Sequence, residues 1–155
     1  MRVICRSSAR RGFVLMTMAA TMFVLLAVIG LAFDLGRVYI ARNEAQIFVD
    51  AASMAAATKL NGTAAGLEQA RSAVSKLPNR WNLSTQDFRG VEIAFSADGV
   101  HWENQPKAAA GIAFARVNAS QNSLEITFLR AVGGPANFTI PAYASATTNP
   151  VRLVE

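Results

Sequence analysis

The chain has one cysteine and one histidine among its 155 residues. With Cys5 alone, no intrachain disulfide can form, so any folded part must hold itself together by packing. Cys5 and His101 together are too few for a zinc site of the usual Cys/His kind. Charge is also scarce. Charged residues make up 16% of the chain, against roughly 25% in an ordinary soluble domain, which points to a membrane segment. No G-x-x-x-x-G-K-[ST] and no G-x-G-x-x-G occurs, so there is no phosphate cradle. Asp87, Asp98 and Glu103 lack the spacing of a calcium loop. There is no internal repeat and no low-complexity tract. The expectation is a protein that is not an enzyme, with no catalytic residue, no cofactor, no metal and no small-molecule substrate.

What charge there is lies unevenly. The formal net charge is +5, from 15 basic and 10 acidic residues. Arg2, Arg6, Arg10 and Arg11 all precede Phe13, so the remainder is close to neutral. A nucleic-acid footprint needs a basic face on the folded part, and this pattern argues against one.

The run "FVLMTMAATMFVLLAVIGLAF", residues 13–33, carries no charge. At about 1.5 Å per residue it reaches roughly 32 Å, enough to cross a hydrocarbon core of about 30 Å. A cleaved secretory signal has a shorter apolar region, about 7–15 residues, ending in a small-residue exit. This run leads instead into Asp34. A buried soluble helix of this length would normally show a polar face. A retained transmembrane helix fits best. The arginine-rich flank precedes it, so the N-terminus is expected in the cytoplasm and everything after Asp34 outside. Cys5 is then a cytoplasmic thiol beside the membrane, open in principle to acylation. It also lies across the membrane from His101, which excludes a Cys–His pair.

The apolar run continues without a break into "DLGRVYIARNEAQIFVDAASMAAATKL", residues 34–60, which has no proline and a single glycine, Gly36. Its alanines, leucines and glutamine favour helix. Apolar or small residues recur at Leu31, Leu35, Val38, Ala45, Phe48, Ala52 and Ala55, in steps mostly of three and four, which is one helix face. One helix from about residue 12 to about residue 60 is expected. Asp34 would mark its exit from the membrane, paired with Arg37 on the helix surface. Ala45, Phe48, Ala52 and Ala55 form a small-residue packing seam for a sheet or another helix.

These residues resemble the N-terminal region of TadE/TadG-like proteins of the bacterial tight-adherence (Flp) pilus-assembly system. The resemblance rests on Arg11, Gly12, Asp34, Gly36, Arg37, Tyr39, Gln46, Asp50, Ala51 and Ala52. It covers about residues 10–60, with Phe48 and Val49 standing where the pattern has more alanine. It implies a single-pass protein of the bacterial inner membrane that serves pilus assembly. Its partners would be the lipid bilayer and other pilus-assembly membrane proteins or pilin-like subunits. The chain is too short to carry the von Willebrand-type domain of larger accessory members. Gly12-Phe13 after Arg10-Arg11 also looks like a prepilin peptidase site. The residue five places after that cut is Thr17, not the glutamate of pilins, so cleavage is disfavoured.

Beyond residue 60, Asn61-Gly62 supplies a break. Ala64, Leu67, Ala70, Val74 and Leu77 then recur at helical spacing until Pro78. Four strand-like runs follow, at residues 91–95, 112–119, 124–132 and 137–147, separated by turn chemistry at 96–99 and 121–123 and by Gly133-Gly134-Pro135. Pro141 demotes the last run to an edge or bulge. The fold class expected is α+β, pilin-like in outline: a long helix packed on an antiparallel sheet of about four strands. The segments are a basic tail (1–12), a transmembrane helix (13–33), a helical extension (34–60) and a small outer domain (61–155). Trp81, Trp102 and His101 read as packing or turn residues. The sequons at Asn61, Asn82, Asn118 and Asn137 read as chance. The competing reading is an unrelated single-span anchor displaying a small binding domain.

Overall fold

The computed structural model describes residues 8–81, 86–131 and 133–148. Arg2, Cys5, Arg6 and Asn82 lie outside the described residues. The protein is α+β. Helix α1 runs unbroken through Ser8–Ala57 and helix α2 through Ala64–Ser75. Strands β1 (Arg80–Trp81), β2 (Gln86–Asp87), β3 (Val91–Ser96), β4 (Phe114–Ala119) and β5 (Ser123–Glu125) follow. A short helix α3 (Phe128–Ala131) precedes β6 (Asn137–Thr139) and β7 (Ala142–Thr147). Two compact units form. One comprises the described residues up to Gly36 with Ile126–Ala136, and the other runs from Arg37 to Glu125 and resumes at Asn137.

In the second unit the sheet has the order β3-β4-β7, antiparallel throughout. Val91 pairs with Ala119 and Ser96 with Phe114, while Phe114 also pairs with Thr147 and Ala119 with Ala142. β1–β2 and β5–β6 are separate two-stranded pairs. The central strand β4 alternates strictly: Ala115, Val117 and Ala119 are fully buried, with Phe114, Arg116 and Asn118 on the other face. Period-two burial of this kind needs a cover on one side. The outer part of α1 supplies it. Ala41, Ala45, Phe48, Val49, Ala52 and Ala56 join those strand residues, Phe95 and Ala142 in one buried cluster. Small side chains on both elements let backbone approach backbone, so close packing replaces bulk.

α2 is the second wall of that cluster, through Leu67, Ala70 and Val74. Its start is built locally. The Thr63 hydroxyl accepts from the Gly66 N–H at 3.1 Å, and the Asn61 side-chain oxygen accepts from the Thr63 N–H at 3.1 Å. Gly62 between them has φ 75°, a left-handed conformation that suits glycine.

Two strand expectations need correction. The run 124–132 is not one strand. It pairs only through Glu125, and Phe128–Ala131 is helical. The run 137–147 is two strands, not one. Pro141 lies between β6, which pairs with β5, and β7, which pairs with β4. A proline has no N–H for the ladder, and here the chain changes partner at that point.

Candidate functional site

The apolar run lies wholly within α1. Gly12–Ala57 contains a window of mean hydropathy 2.5 that is only 6% buried, long and apolar enough to cross a membrane. From Phe13 to Phe33 almost every large side chain is exposed. Thr17 donates its hydroxyl to the carbonyls of Phe13 and Val14, and Thr21 donates to Thr17. These back-bonds satisfy the two polar side chains of the run without solvent.

Gly30 and Asp34 are the buried exceptions, one helical turn apart on one face. Asp34 is 2% exposed. One carboxylate oxygen accepts from the N–H groups of Phe128 (2.8 Å) and Leu129 (2.7 Å), and the other from Thr127 (3.3 Å). Three successive N–H groups at the start of a helix are the donors that have no partner inside it. Asp34 therefore caps α3 from a remote point in sequence, and its charge suits that end of the helix. Gly30 provides the seat. A Cβ there would lie 2.8 Å from the Phe128 side chain, so glycine lets the aromatic ring lie against the helix backbone. Phe128 also meets Phe33 edge-on, with centroids 5.7 Å apart.

Arg37 has a different task. Its guanidinium donates to the Glu125 carbonyl at 3.2 Å, at the end of β5. Asp34 receives N–H donors and Arg37 donates to a carbonyl.

The other motif positions are spread along α1. Arg11 and Gly12 lie in its first turns, and Phe13 is exposed. Gly36 has open space where a Cβ would stand, and Tyr39 is exposed. Gln46 donates to Asp50 at 2.9 Å and to the Tyr143 carbonyl of β7 at 3.4 Å. Ala51 is exposed and lines an apolar recess of about 340 Å³ with Ile47, Phe48, Leu77, Pro78 and Phe88. Ala52 is fully buried.

Of the four residues read as the seam, Ala45, Phe48 and Ala52 are buried, while Ala55 is only half-buried. Ala41, Val49, Ser53, Ala56 and Ala57 are also buried and lie outside that seam. Gly30 was missed as well. A lone glycine inside an otherwise bulky apolar run was the available signal.

His101 sits in a turn. Its Nδ1 lies 2.7 Å from Asp98. Asp98 also accepts from the N–H groups of Val100 and His101 and from the Ser96 hydroxyl. The His101 side chain first, then these other donors, hold the Asp98 carboxyl well below the usual carboxylate range. The Asp98 hydrogen bond and charge in turn raise His101. Both side chains are solvent-facing. Trp102 carries the Arg116 guanidinium over its ring at 3.8 Å, so one of its faces is already occupied.

Among the described residues, one long helix leaves its apolar half bare and buries its alanine half on a sheet, an α+β arrangement that fits a membrane anchor. Residues 12–59 match the Tad family model, described as "Putative Flp pilus-assembly TadE/G-like". That match spans the apolar run, the Asp34–Arg37 stretch and the sheet-covering alanines. No curated protein and no solved structure matches the chain.

Proposed function

We propose that the protein is a membrane-anchored accessory, or minor-pilin-like, component of tight-adherence pilus assembly. The observation that carries this reading is the family match at residues 12–59, which coincides with the bare apolar half of α1 and its motif. Residues 13–33 cross the inner membrane once, with the arginines of the N-terminal tail in the cytoplasm and the sheet outside. The protein acts by contact and not by catalysis. Its only cysteine and its only histidine lie on opposite sides of the membrane in this topology, and His101 is engaged in a turn with Asp98. Its partners are the bilayer and other membrane proteins or pilin-like subunits of the assembly machine.

The chain stays uncut at Gly12–Phe13. Thr17 spends its hydroxyl on the helix carbonyls and supplies no carboxylate for a neighbouring subunit's N-terminal amine. A cleaved product would therefore lack that docking charge. Deletion of the gene from its host is expected to abolish or thin the pili and weaken surface adherence, with rescue by the intact gene. Unchanged pili, together with a soluble ligand captured by the sheet unit, would sink the reading in favour of a displayed binding domain.

A further inference from the structure

We propose that Ile126–Ala136 is a second membrane contact: a loop that dips into the lipid beside the span, with Phe128 and Leu129 as its apolar tip. The inference rests on the reading of residues 13–33 as a bilayer span and extends it to a part of the chain remote in sequence.

The loop belongs to the same compact unit as the span. Phe128 lies against Gly30, four residues inside Asp34 on α1. At about 1.5 Å per residue that is about 6 Å toward the bilayer interior, within the roughly 5–10 Å over which interfacial apolar groups insert. Phe128 and Leu129 line an apolar recess of about 240 Å³ with Phe23, Val24, Ala27 and Leu31, all residues of the span. Phe128 is still 47% exposed, and the neighbouring span residues are bare in the same way. The occupant that covers those span residues is lipid, and Phe128 is continuous with them.

A loop can enter lipid only if its backbone polar groups are satisfied internally. Here six of the loop's N–H groups are met from within the unit. Asp34 takes the three N–H groups at residues 127–129. The Ile126 N–H donates to the Ala136 carbonyl, Gly133 to Arg130 and Gly134 to Leu129. Arg130 follows the apolar pair and is exposed, which suits a headgroup phosphate with an apolar tip beneath it. The buried carboxylate thus has a reason. It lets a four-residue helical turn exist where water is scarce.

The test uses the full chain in phosphatidylcholine–phosphatidylglycerol vesicles. With Cys5→Ser as background, single cysteines at Phe128, Arg130, Leu25 and Tyr143 carry an environment-sensitive fluorophore. Quenching by spin-labelled lipids of graded depth is compared with quenching by aqueous iodide. The expected pattern is deep lipid quenching for Leu25→Cys, shallow lipid quenching for Phe128→Cys and Arg130→Cys, and iodide quenching alone for Tyr143→Cys. Adding Asp34→Ala should shift Phe128→Cys toward iodide. If Leu25→Cys is lipid-quenched while both loop positions behave like Tyr143→Cys, the proposal is overturned and the span stands. Loop positions shielded from both quenchers give that face to a second copy of the chain and also overturn it. Iodide quenching at Leu25→Cys removes the span itself, and the proposal with it.

Discussion

Ala52→Leu probes how the helix meets the sheet. Ala52 is fully buried, in one cluster with Ala45, Ala56, Ala115, Val117 and Ala119, themselves fully buried. A leucine adds three carbons where the packing has no room for them. Extra methylenes forced into a well-packed core cost about 1–3 kcal/mol. For a unit of this size, 1 kcal/mol moves the melting temperature by about 4–8 °C. The variant should therefore melt on the order of 5–20 °C lower, read by near-ultraviolet circular dichroism on the full chain in micelles. Ala51→Leu is the control, one residue along the same helix at an exposed position. It should shift the melt by no more than the roughly 0.5 kcal/mol of a surface change. If the two variants melt alike, the alanine face is solvated, and close helix–sheet packing is not what holds this unit together.

Thr63→Ala removes the hydroxyl that caps α2 and should cost about 1 kcal/mol, measured by the same melt. Asp34→Ala strips a charged acceptor from three N–H groups and should cost the loop about 2 kcal/mol or more, seen as faster amide exchange at residues 127–129. His101 should titrate above its ordinary value of about 6.5 by NMR, and Asp98→Asn should return it toward that value. The signs follow from the directions of the two shifts. The raised His101 contributes fully below about 6.5 and loses its contribution as pH rises through its folded-state value. The depressed Asp98 contributes fully above its ordinary value near 4 and loses its contribution as pH falls through its folded-state value. The turn at residues 96–101 is thus tightest between those two limits. An unshifted His101 would contradict the 2.7 Å contact.

The elements that local chemistry determines were legible in the sequence. An unbroken run without proline, from the apolar stretch into alanines, is enough to read α1 as one helix. Asn61-Gly62-Thr63 marks the start of α2 by its own side chains. The alternation in β3 shows because one face is covered. What was not legible depends on partners distant in the chain. "LEITFLRAV" alternates like a strand as far as Phe128. It turns helical at Phe128 because Asp34, more than ninety residues earlier, caps it. Periodicity carries no trace of that cap. The split at Pro141 depends on which strand each half pairs with, which a proline alone does not tell. The spacing puts Ala55 in the seam where the buried residues are Ala56 and Ala57. In a stretch where alanine fills several successive positions, composition does not fix the helical phase, and one residue is about 100° of rotation.

The central claim is that residues 12–59 form a retained anchor whose far half covers the sheet. N-terminal sequencing with intact mass on the protein extracted from its native membrane tests it directly. The account predicts a membrane-bound chain whose N-terminus lies upstream of Gly12, with residues 13–33 intact. A mature start at Phe13 would move the protein among the processed pseudopilins, and a soluble chain shortened past residue 33 would contradict the anchor itself.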